Sequence, residues 1–220
     1  VVAKGKGSGL LGRREELERL LDGIYARAGI PVSIKTRLGL RDPEEFFPLL
    51  ELFNRYPVCE LIIHPRVQKD FYRNQPRLDA FAAALASCRA PVCYNGDLVT
   101  AADCAALIRR FPGVTALMAG RGAVADPALF SKARGGPGAD RGALRAFHDE
   151  LYAGYAQAFG SRRNATLRMK EFWSYLLGLF QDGAGQAKAL RKAADPAAYE
   201  AAVNHIFQSL PLREDAAVIW

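Results

Sequence analysis

Nine polar and glycine residues stand at the ends of four short β-rich segments of the sequence, and their types suit the binding of an anion such as a phosphate. They are Lys35, Arg37, His64, Arg66, Asn95, Gly96, Asp97, Gly120 and Arg121. A lysine inside a strand has few structural uses, because its charge would have to be buried. The glycines allow close approach of the backbone and leave amide groups available to an anion. The pattern therefore predicts an anion site at the strand ends.

The four β-rich segments recur roughly every 30 residues, the length of a strand–helix–strand unit. They cover about 31–37, 60–64, 90–97 and 114–122, and helices are predicted over about 13–28, after Pro43, over 78–88 and after Thr100. Strands and helices that alternate at this pitch predict a parallel sheet. Functional groups at the carboxyl ends of the strands are typical of a (βα)8 barrel, although a doubly wound sheet also binds ligands there. We therefore predict an α/β fold, the second half of a TIM barrel with four parallel strands.

The composition of the chain changes after Phe130, where the glycine-rich segment 135–138 interrupts the pattern. Apolar residues then recur at helical spacing up to Phe207, with no strand signal. The sequence predicts two domains, a half-barrel over 1–134 and an all-α domain over 135–220.

Several functional classes are disfavoured by the composition. Half of the 220 residues are hydrophobic, which allows a buried core, but no apolar run approaches the roughly 18 residues of a membrane span. We see no export leader and expect a cytoplasmic protein without membrane contact. The cysteines Cys59, Cys88, Cys93 and Cys104 lack metal-ligand spacing, so we predict reduced core thiols and no metal site.

The net charge of +7 indicates an anionic partner, since clustered Lys and Arg attract phosphates. One cluster comprises Arg66, Lys69, Arg73 and Arg77, interleaved with Phe71 and Tyr72, and the other comprises Arg162, Arg163, Arg168 and Lys170. Ordinary solvated faces would give the same pattern, so charge alone leaves both interpretations open.

The order of the motifs resembles that of the flavin-dependent tRNA-dihydrouridine synthases. Lys-x-Arg-Leu-Gly at Lys35 is followed by His-x-Arg at His64, Asn-Gly-Asp at Asn95 and Gly-Arg-Gly-Ala at Gly120. The opening segment 1–11 is similar to the part of that family just after its catalytic cysteine, and the segment 168–176 is similar to its helical domain. The resemblance covers nearly the whole chain.

The resemblance implies an FMN enzyme that reduces the 5,6 double bond of uridines in tRNA, with NADPH as electron donor. It implies that Lys35 and His64 contact the flavin, with Lys35 stabilising the negative charge of its reduced form. The groups around the phosphate and ribityl chain would be Asn95, Gly96, Asp97, Gly120 and Arg121. Arg37 and Arg66 would bind the flipped uridine or its phosphate.

The sequence also departs from the family pattern. Only four of eight barrel strands are found, and the family's catalytic cysteine would lie in a Gly-Cys-Pro turn upstream of Val1, so we predict no catalytic residue in this chain. We therefore expect a fragment of a longer synthase that binds FMN poorly and is inactive by itself. Open sheet edges also predict self-association.

Two alternative functions remain open at this point. The chain could belong to another FMN barrel that acts on a small molecule, such as a dihydroorotate or dihydropyrimidine dehydrogenase, although a small substrate does not require a basic helical domain. It could instead be a non-catalytic RNA-binding remnant. Flavin absorbance separates the enzymes from the remnant.

Overall fold

A computed structural model describes residues 5–218, which contain one four-stranded parallel sheet and ten α-helices. Residues 1–4, which belong to the opening segment of the family resemblance, lie outside the described part, as do residues 219 and 220. The strands are β1 (Ile34–Arg37), β2 (Leu61–His64), β3 (Val92–Asn95) and β4 (Ala116–Met118). The helices are α1 (Arg14–Tyr25), α2 (Phe46–Phe53), α3 (Leu78–Ser87), α4 (Ala101–Arg110), α5 (Arg121–Ala125), α6 (Leu129–Ala133), α7 (Arg141–Phe159), α8 (Arg162–Leu176), α9 (Gly183–Lys192) and α10 (Pro196–Ser209).

The strands lie in the sheet in the order in which they occur in the chain, β1-β2-β3-β4, and all pairs are parallel. A (βα)8 barrel requires this sequential order, whereas a doubly wound sheet reverses its order at a switch point. The predicted α/β class, with four parallel barrel strands followed by helices, is confirmed. Within the described residues β1 and β4 each pair on one side only, and the predicted self-association through these edges stays a prediction.

Local sequence signals set the start of two helices. Asp42 accepts a hydrogen bond from the backbone amide of Glu44, and the Glu45 carboxylate accepts from the Asp42 amide in return. Thr100 and Asp103 form the same reciprocal arrangement before α4. These capping boxes satisfy amide groups that the first helical turn leaves without partners, which is why the two starts could be predicted.

Side chains alternate across the sheet, and one face packs in a hydrophobic core. Ile63 and Tyr94 are buried on this face. The Tyr94 ring packs edge-on against the ring of Phe81 of α3, with 5.0 Å between the ring centres. The ring centres of Phe81 and Phe111 are 5.1 Å apart. The opposite face carries the polar residues of the strand ends.

The chain divides into two compact units, one of residues 5–97 and 107–118 and the other of residues 98–106 and 119–218. The predicted boundary after residue 134 falls within the second unit, and the assignment of 135–220 as a tRNA-binding domain stays a prediction. The second unit has its own core around Trp173, whose indole donates to the Tyr199 hydroxyl at 2.9 Å. Phe172 and Tyr175 pack against this core, as expected for a core aromatic stripe.

Several details differ from the sequence-based expectations. The segment after β4 forms α5 from Arg121 onwards, where a glycine turn was expected. The short helix α9 was not predicted individually. In α1, Leu20 is 44% exposed, although it is an apolar residue of a predicted helix. Cys93 and Cys104 are buried thiols, but Cys59 is exposed, so the prediction of a core position is wrong for that residue.

Candidate functional site

Four of the predicted site residues share one face of the sheet. The register pairs Lys35 with Ile62, Arg37 with His64, and Asn95 with Met118. Paired residues of parallel strands point to the same side, and residues two apart on one strand do so too. Lys35, Arg37, His64 and Asn95 therefore lie together on the face opposite the Phe81 core. All are at or near the carboxyl ends of their strands.

Lys35 and Arg37 give this face its positive charge. Loss of part of the water around its ammonium lowers the pKa of Lys35, and the charge of Arg37 lowers it further. Arg37 donates to the carbonyl oxygens of Val67 at 2.9 Å and Phe71 at 3.0 Å. Its guanidinium also lies 5.5 Å from the centre of the Tyr72 ring. Arg37 is therefore held by the loop that follows β2.

His64 is buried and stays neutral over the physiological pH range. Burial lowers the pKa of His64 to about 3, and the positive charges of Arg37, Arg66 and Lys35 contribute to the lowering. Its Nε2 lies 3.2 Å from Nη1 of Arg66. The smaller contribution of these three charges indicates a positive potential at this strand end, which is the environment that an anionic ligand requires.

Arg66 is 2% exposed and is bound on three sides. Its Nη1 and Nη2 donate to the two carboxylate oxygens of Asp97 at 2.8 and 2.5 Å, and its Nε donates to the carbonyl of Asn74 at 2.5 Å. Asp97 has a backbone φ of +37°, in the left-handed region that side chains rarely adopt. The predicted contact of Arg66 with substrate stays a prediction, but the position that the structure gives it is an interior one.

A second buried pair fixes the loop after β2. Asp70 accepts hydrogen bonds from Arg77, from Nδ2 of Asn74 at 2.6 Å and from the backbone amide of Val67 at 3.0 Å. The bond from Arg77 is the main cause that lowers the pKa of Asp70 to about 2. Because Asn74 also accepts from Arg66, the two ion pairs belong to one network.

Asn95 and Gly96 form the end of β3. Nδ2 of Asn95 donates to the carbonyl of Met118 at 2.8 Å, which leaves its side-chain oxygen as an acceptor. Gly96 is buried, and a Cβ atom at this position would lie 3.0 Å from the Tyr94 hydroxyl. The end of β3 therefore has no side chain at Gly96.

Gly120 and Arg121 lie in the second unit, where Gly120 precedes α5. Their predicted place in the phosphate cradle stays a prediction. Gly122 has a role in packing. A Cβ atom there would lie 1.9 Å from the carbonyl oxygen of Leu98, so this glycine allows α5 to pack against the segment after β3.

Burial affects the acidity of three of the four thiols of the chain. Burial raises the pKa of Cys93 to about 11 and also raises that of Cys88 and Cys104. The raised pKa values make these three thiols weaker proton donors than an ordinary cysteine. Among residues 5–218 there is no group of three or more potential metal-binding side chains.

The two basic clusters are partly neutralised by the fold. In the first, Arg66 and Arg77 are ion-paired, while Lys69 and Arg73 are exposed beside Phe71 and Tyr72. In the second, Arg162 pairs with Glu200 and Arg168 pairs with Glu171 at 2.5 Å. Lys170 donates to the carbonyl of Ala193 at 2.6 Å. Sequence reasoning missed Asp97 and Glu200 because they are distant in the chain, and Glu171 because it follows its cluster. The fourth acid, Asp70, lies within the first cluster.

A model of a protein family, described as dihydrouridine synthase (Dus), matches residues 1–208. The chain belongs to the dihydrouridine synthase family. This membership confirms the resemblance that the four strand-end motifs indicated. The motifs at Lys35, His64, Asn95 and Gly120 all fall within the matched range.

Several curated relatives support the family assignment. The chain is 34% identical over 133 residues to the tRNA-dihydrouridine(16) synthase of Cupriavidus necator, which covers 60% of this chain and 41% of that protein. It is 32% identical over 137 residues to a probable tRNA-dihydrouridine synthase of Staphylococcus epidermidis. The match covers 60% of this chain and 41% of that protein. It is 29% identical over 131 residues to tRNA-dihydrouridine synthase B of Pseudomonas aeruginosa. The match covers 59% of this chain and 39% of that protein. The matched part is thus about two fifths of the length of these relatives.

No helix within residues 5–218 is long and apolar enough to cross a membrane.

Proposed function

We propose that this chain supplies the C-terminal barrel strands and the helical domain of an enzyme that reduces uridine to 5,6-dihydrouridine in tRNA. The observation that carries the proposal is the shared face of Lys35, Arg37, His64 and Asn95 in a chain of the dihydrouridine synthase family. The relatives are named as enzymes that act on tRNA. A tRNA substrate would also place the protein in the cytoplasm.

The residues on this face suit FMN, the cofactor we propose. The positive charges of Lys35, Arg37 and Arg66 around His64 would attract the phosphate and the reduced, negatively charged flavin. The lowered pKa of Lys35 indicates that its ammonium has lost part of its water, which strengthens its interaction with an anion. Gly96 leaves the end of β3 without a side chain.

Each residue has a specific task in this proposal. Lys35 would place its positive charge beside the flavin, and His64 would donate a hydrogen bond to it as a neutral ring. The free side-chain oxygen of Asn95 would accept from a ribityl hydroxyl, and the turn Gly96–Asp97, with Gly120 and Arg121, would surround the phosphate. These roles rest on the strand-end positions and on the family membership.

When bound, FMN would supply the hydride that reduces the 5,6 double bond of uridine, and NADPH would recharge it. Arg37 lies on the same face as Lys35 and would bind the uridine or its phosphate, the role also proposed for Arg66. The acid that protonates the base would come from outside this chain, since none of its four cysteines stands in the Gly-Cys-Pro turn that the family resemblance implies. We therefore expect weak FMN binding and no turnover from residues 1–220 alone.

The helical part would hold the tRNA. Among its basic residues, Arg163 is exposed at the start of α8. In the first unit, Lys69 and Arg73 are exposed beside two aromatic rings after β2. Exposed cations next to aromatic rings suit a phosphate backbone with unpaired bases. This substrate distinguishes the proposal from an FMN barrel that reduces a small molecule.

Two measurements on the purified chain test the proposal. The first is the absorbance spectrum of the chain after incubation with FMN and removal of excess ligand, or a fluorescence titration with FMN if binding is weak. The second is a gel shift with unmodified tRNA, with a DNA duplex of equal charge as the control. We expect saturable FMN binding together with a preference for tRNA.

Other combinations of results would point to other functions. Binding of FMN without any preference for tRNA would favour a reductase of a small molecule. A chain that shifts tRNA but does not bind FMN at any concentration would overturn the enzyme proposal and favour an RNA-binding remnant.

A further inference from the structure

Arg66 connects three parts of the first unit, which gives it a role beyond charge. It bonds to the ring of His64 at the end of β2, to both carboxylate oxygens of Asp97 after β3, and to the backbone of Asn74 in the loop between them. These bonds occupy four of the five N–H donors of a guanidinium. The orientation of Arg66 is therefore fixed from several directions.

The contact with His64 determines where the imidazole proton lies. A guanidinium can only donate, so the 3.2 Å contact from Nη1 of Arg66 is a hydrogen bond only if Nε2 of His64 accepts. A neutral ring that accepts at Nε2 carries its proton on Nδ1. The strongly depressed pKa of His64 agrees with a ring that is neutral near pH 7.

Asp97 and the loop keep Arg66 in this orientation. The carboxylate receives one hydrogen bond from each terminal nitrogen, a geometry that a lysine ammonium cannot reproduce. Asn74, which accepts from Nε, is itself held by Asp70, and Asp70 is held by Arg77. The buried guanidinium of Arg66 is thereby paired, and the orientation of its plane is fixed.

We propose that Arg66 is a positioning residue, which holds His64 in the neutral tautomer protonated on Nδ1 and ties it to the turn at Asp97. The proposal needs no cofactor for its first part, because tautomer and turn are properties of the chain alone. Its consequence for FMN, a fixed donor at His64 and a fixed turn beside it, rests on the proposed function above.

The test is the ring nitrogen spectrum of the 15N-labelled chain near pH 7, recorded without cofactor. The chain has three histidines, so a His64→Gln variant assigns the signals of His64. In the wild type we expect Nδ1 to be protonated and Nε2 to be unprotonated. In Arg66→Lys we expect the ratio of the Nδ1–H to the Nε2–H tautomer to fall by about tenfold, the factor that corresponds to one lost hydrogen bond.

Arg77→Lys is the matched control, because Arg77 lies in the same loop and pairs with Asp70 rather than with His64. We expect it to keep the wild-type tautomer. An FMN titration adds a second measurement, in which Arg66→Lys should bind about tenfold more weakly than the wild type. A purely structural role for Arg66 would change unfolding without changing the tautomer.

The proposal is overturned if wild-type His64 carries its proton on Nε2, a result that does not depend on whether any variant folds. It is also overturned if Arg66→Lys keeps the wild-type tautomer. If the tautomer is as expected but FMN does not bind, the positioning role of Arg66 stands and the proposed function fails.

Discussion

Arg66 and Asp97 form a bidentate ion pair, with one guanidinium nitrogen on each carboxylate oxygen, at 2.8 and 2.5 Å. The arginine is 2% exposed and the aspartate side chain is 34% exposed. The pair joins the end of β2 to the end of β3, at the polar face where Lys35 and His64 lie. A buried cation without a partner is strongly unfavourable, so this pair matters for stability as well as for the site.

Replacing Asp97 by alanine should destabilise the first unit by about 3 kcal/mol, because it leaves the buried guanidinium of Arg66 without its carboxylate. Urea unfolding followed by circular dichroism measures the change. Asp79→Ala is the control, since Asp79 forms an exposed pair with Arg110 at 3.3 Å and should have little effect. Equal unfolding midpoints for the two variants would contradict the role of the pair.

The Asp70–Arg77 pair predicts a specific loss of stability in acid. The pKa of Asp70 is lowered from 3.8 to about 2. The Asp70 carboxylate therefore becomes protonated at a lower pH in the folded state than in the unfolded state. The stabilisation, roughly 2 kcal/mol, is therefore complete above about pH 5 and is lost as the pH falls towards 2.

This acid limb can be measured as the free energy of unfolding between pH 5 and pH 2. Asp70→Asn should be less stable than the wild type at pH 5, and the difference between the two proteins should shrink as the pH falls. Parallel curves for the wild type and the variant would contradict the prediction.

Tyr199 is the polar centre of the core of the second unit. Its hydroxyl accepts from the indole of Trp173 at 2.9 Å and lies 2.7 Å from Nε2 of His148. In Tyr199→Phe both groups lose a buried partner, which should cost about 1–3 kcal/mol. Tryptophan fluorescence during urea unfolding reports the change. Tyr155→Phe, at the edge of the same core, serves as the control, and an unfolding midpoint of Tyr199→Phe equal to that of the control would contradict the account.

Gly122 allows close packing of α5, so Gly122→Ala should destabilise the second unit by at least about 2 kcal/mol. The reason is steric, because the new Cβ atom would lie 1.9 Å from the carbonyl oxygen of Leu98. Gly154→Ala is a matched control in α7, where a Cβ atom meets nothing within 4 Å. The control should gain roughly 0.5–1 kcal/mol from helix propensity. Thermal unfolding of both variants distinguishes them, and a neutral Gly122→Ala would refute the packing role.

The parts of the fold that depend on local signals could be predicted from the sequence. The capping residues Asp42 and Thr100 act on amide groups two or three positions away, and both starts are confirmed. The strand ends could be placed because the motifs recur at the pitch of a strand–helix unit. Their shared face then follows from the register of a parallel sheet.

The tertiary pairings could not be predicted, since they depend on residues that are distant in the chain. The family resemblance implies a contact of Arg66 with substrate, but its pairing with Asp97 at the next strand end is not visible in the sequence. The close approach of Gly122 to Leu98 is not visible in the sequence either. The helix α9 begins at Gly183 with two glycines among its first three residues, a weak helix signal that the burial of Leu190 outweighs.

The central claim, that the strand ends hold the phosphate-bearing flavin FMN, is tested most directly by amide chemical shifts of the 15N-labelled chain titrated with FMN and, separately, with riboflavin. We predict weak but saturable shifts at residues 95–97 and 120–121 with FMN, and smaller ones with riboflavin, which lacks the phosphate. Lys35→Met should weaken FMN binding by about tenfold, whereas Lys188→Met, an exposed lysine of α9, should not. Equal shifts with riboflavin, shifts remote from these residues, or an unchanged affinity of Lys35→Met would contradict the account.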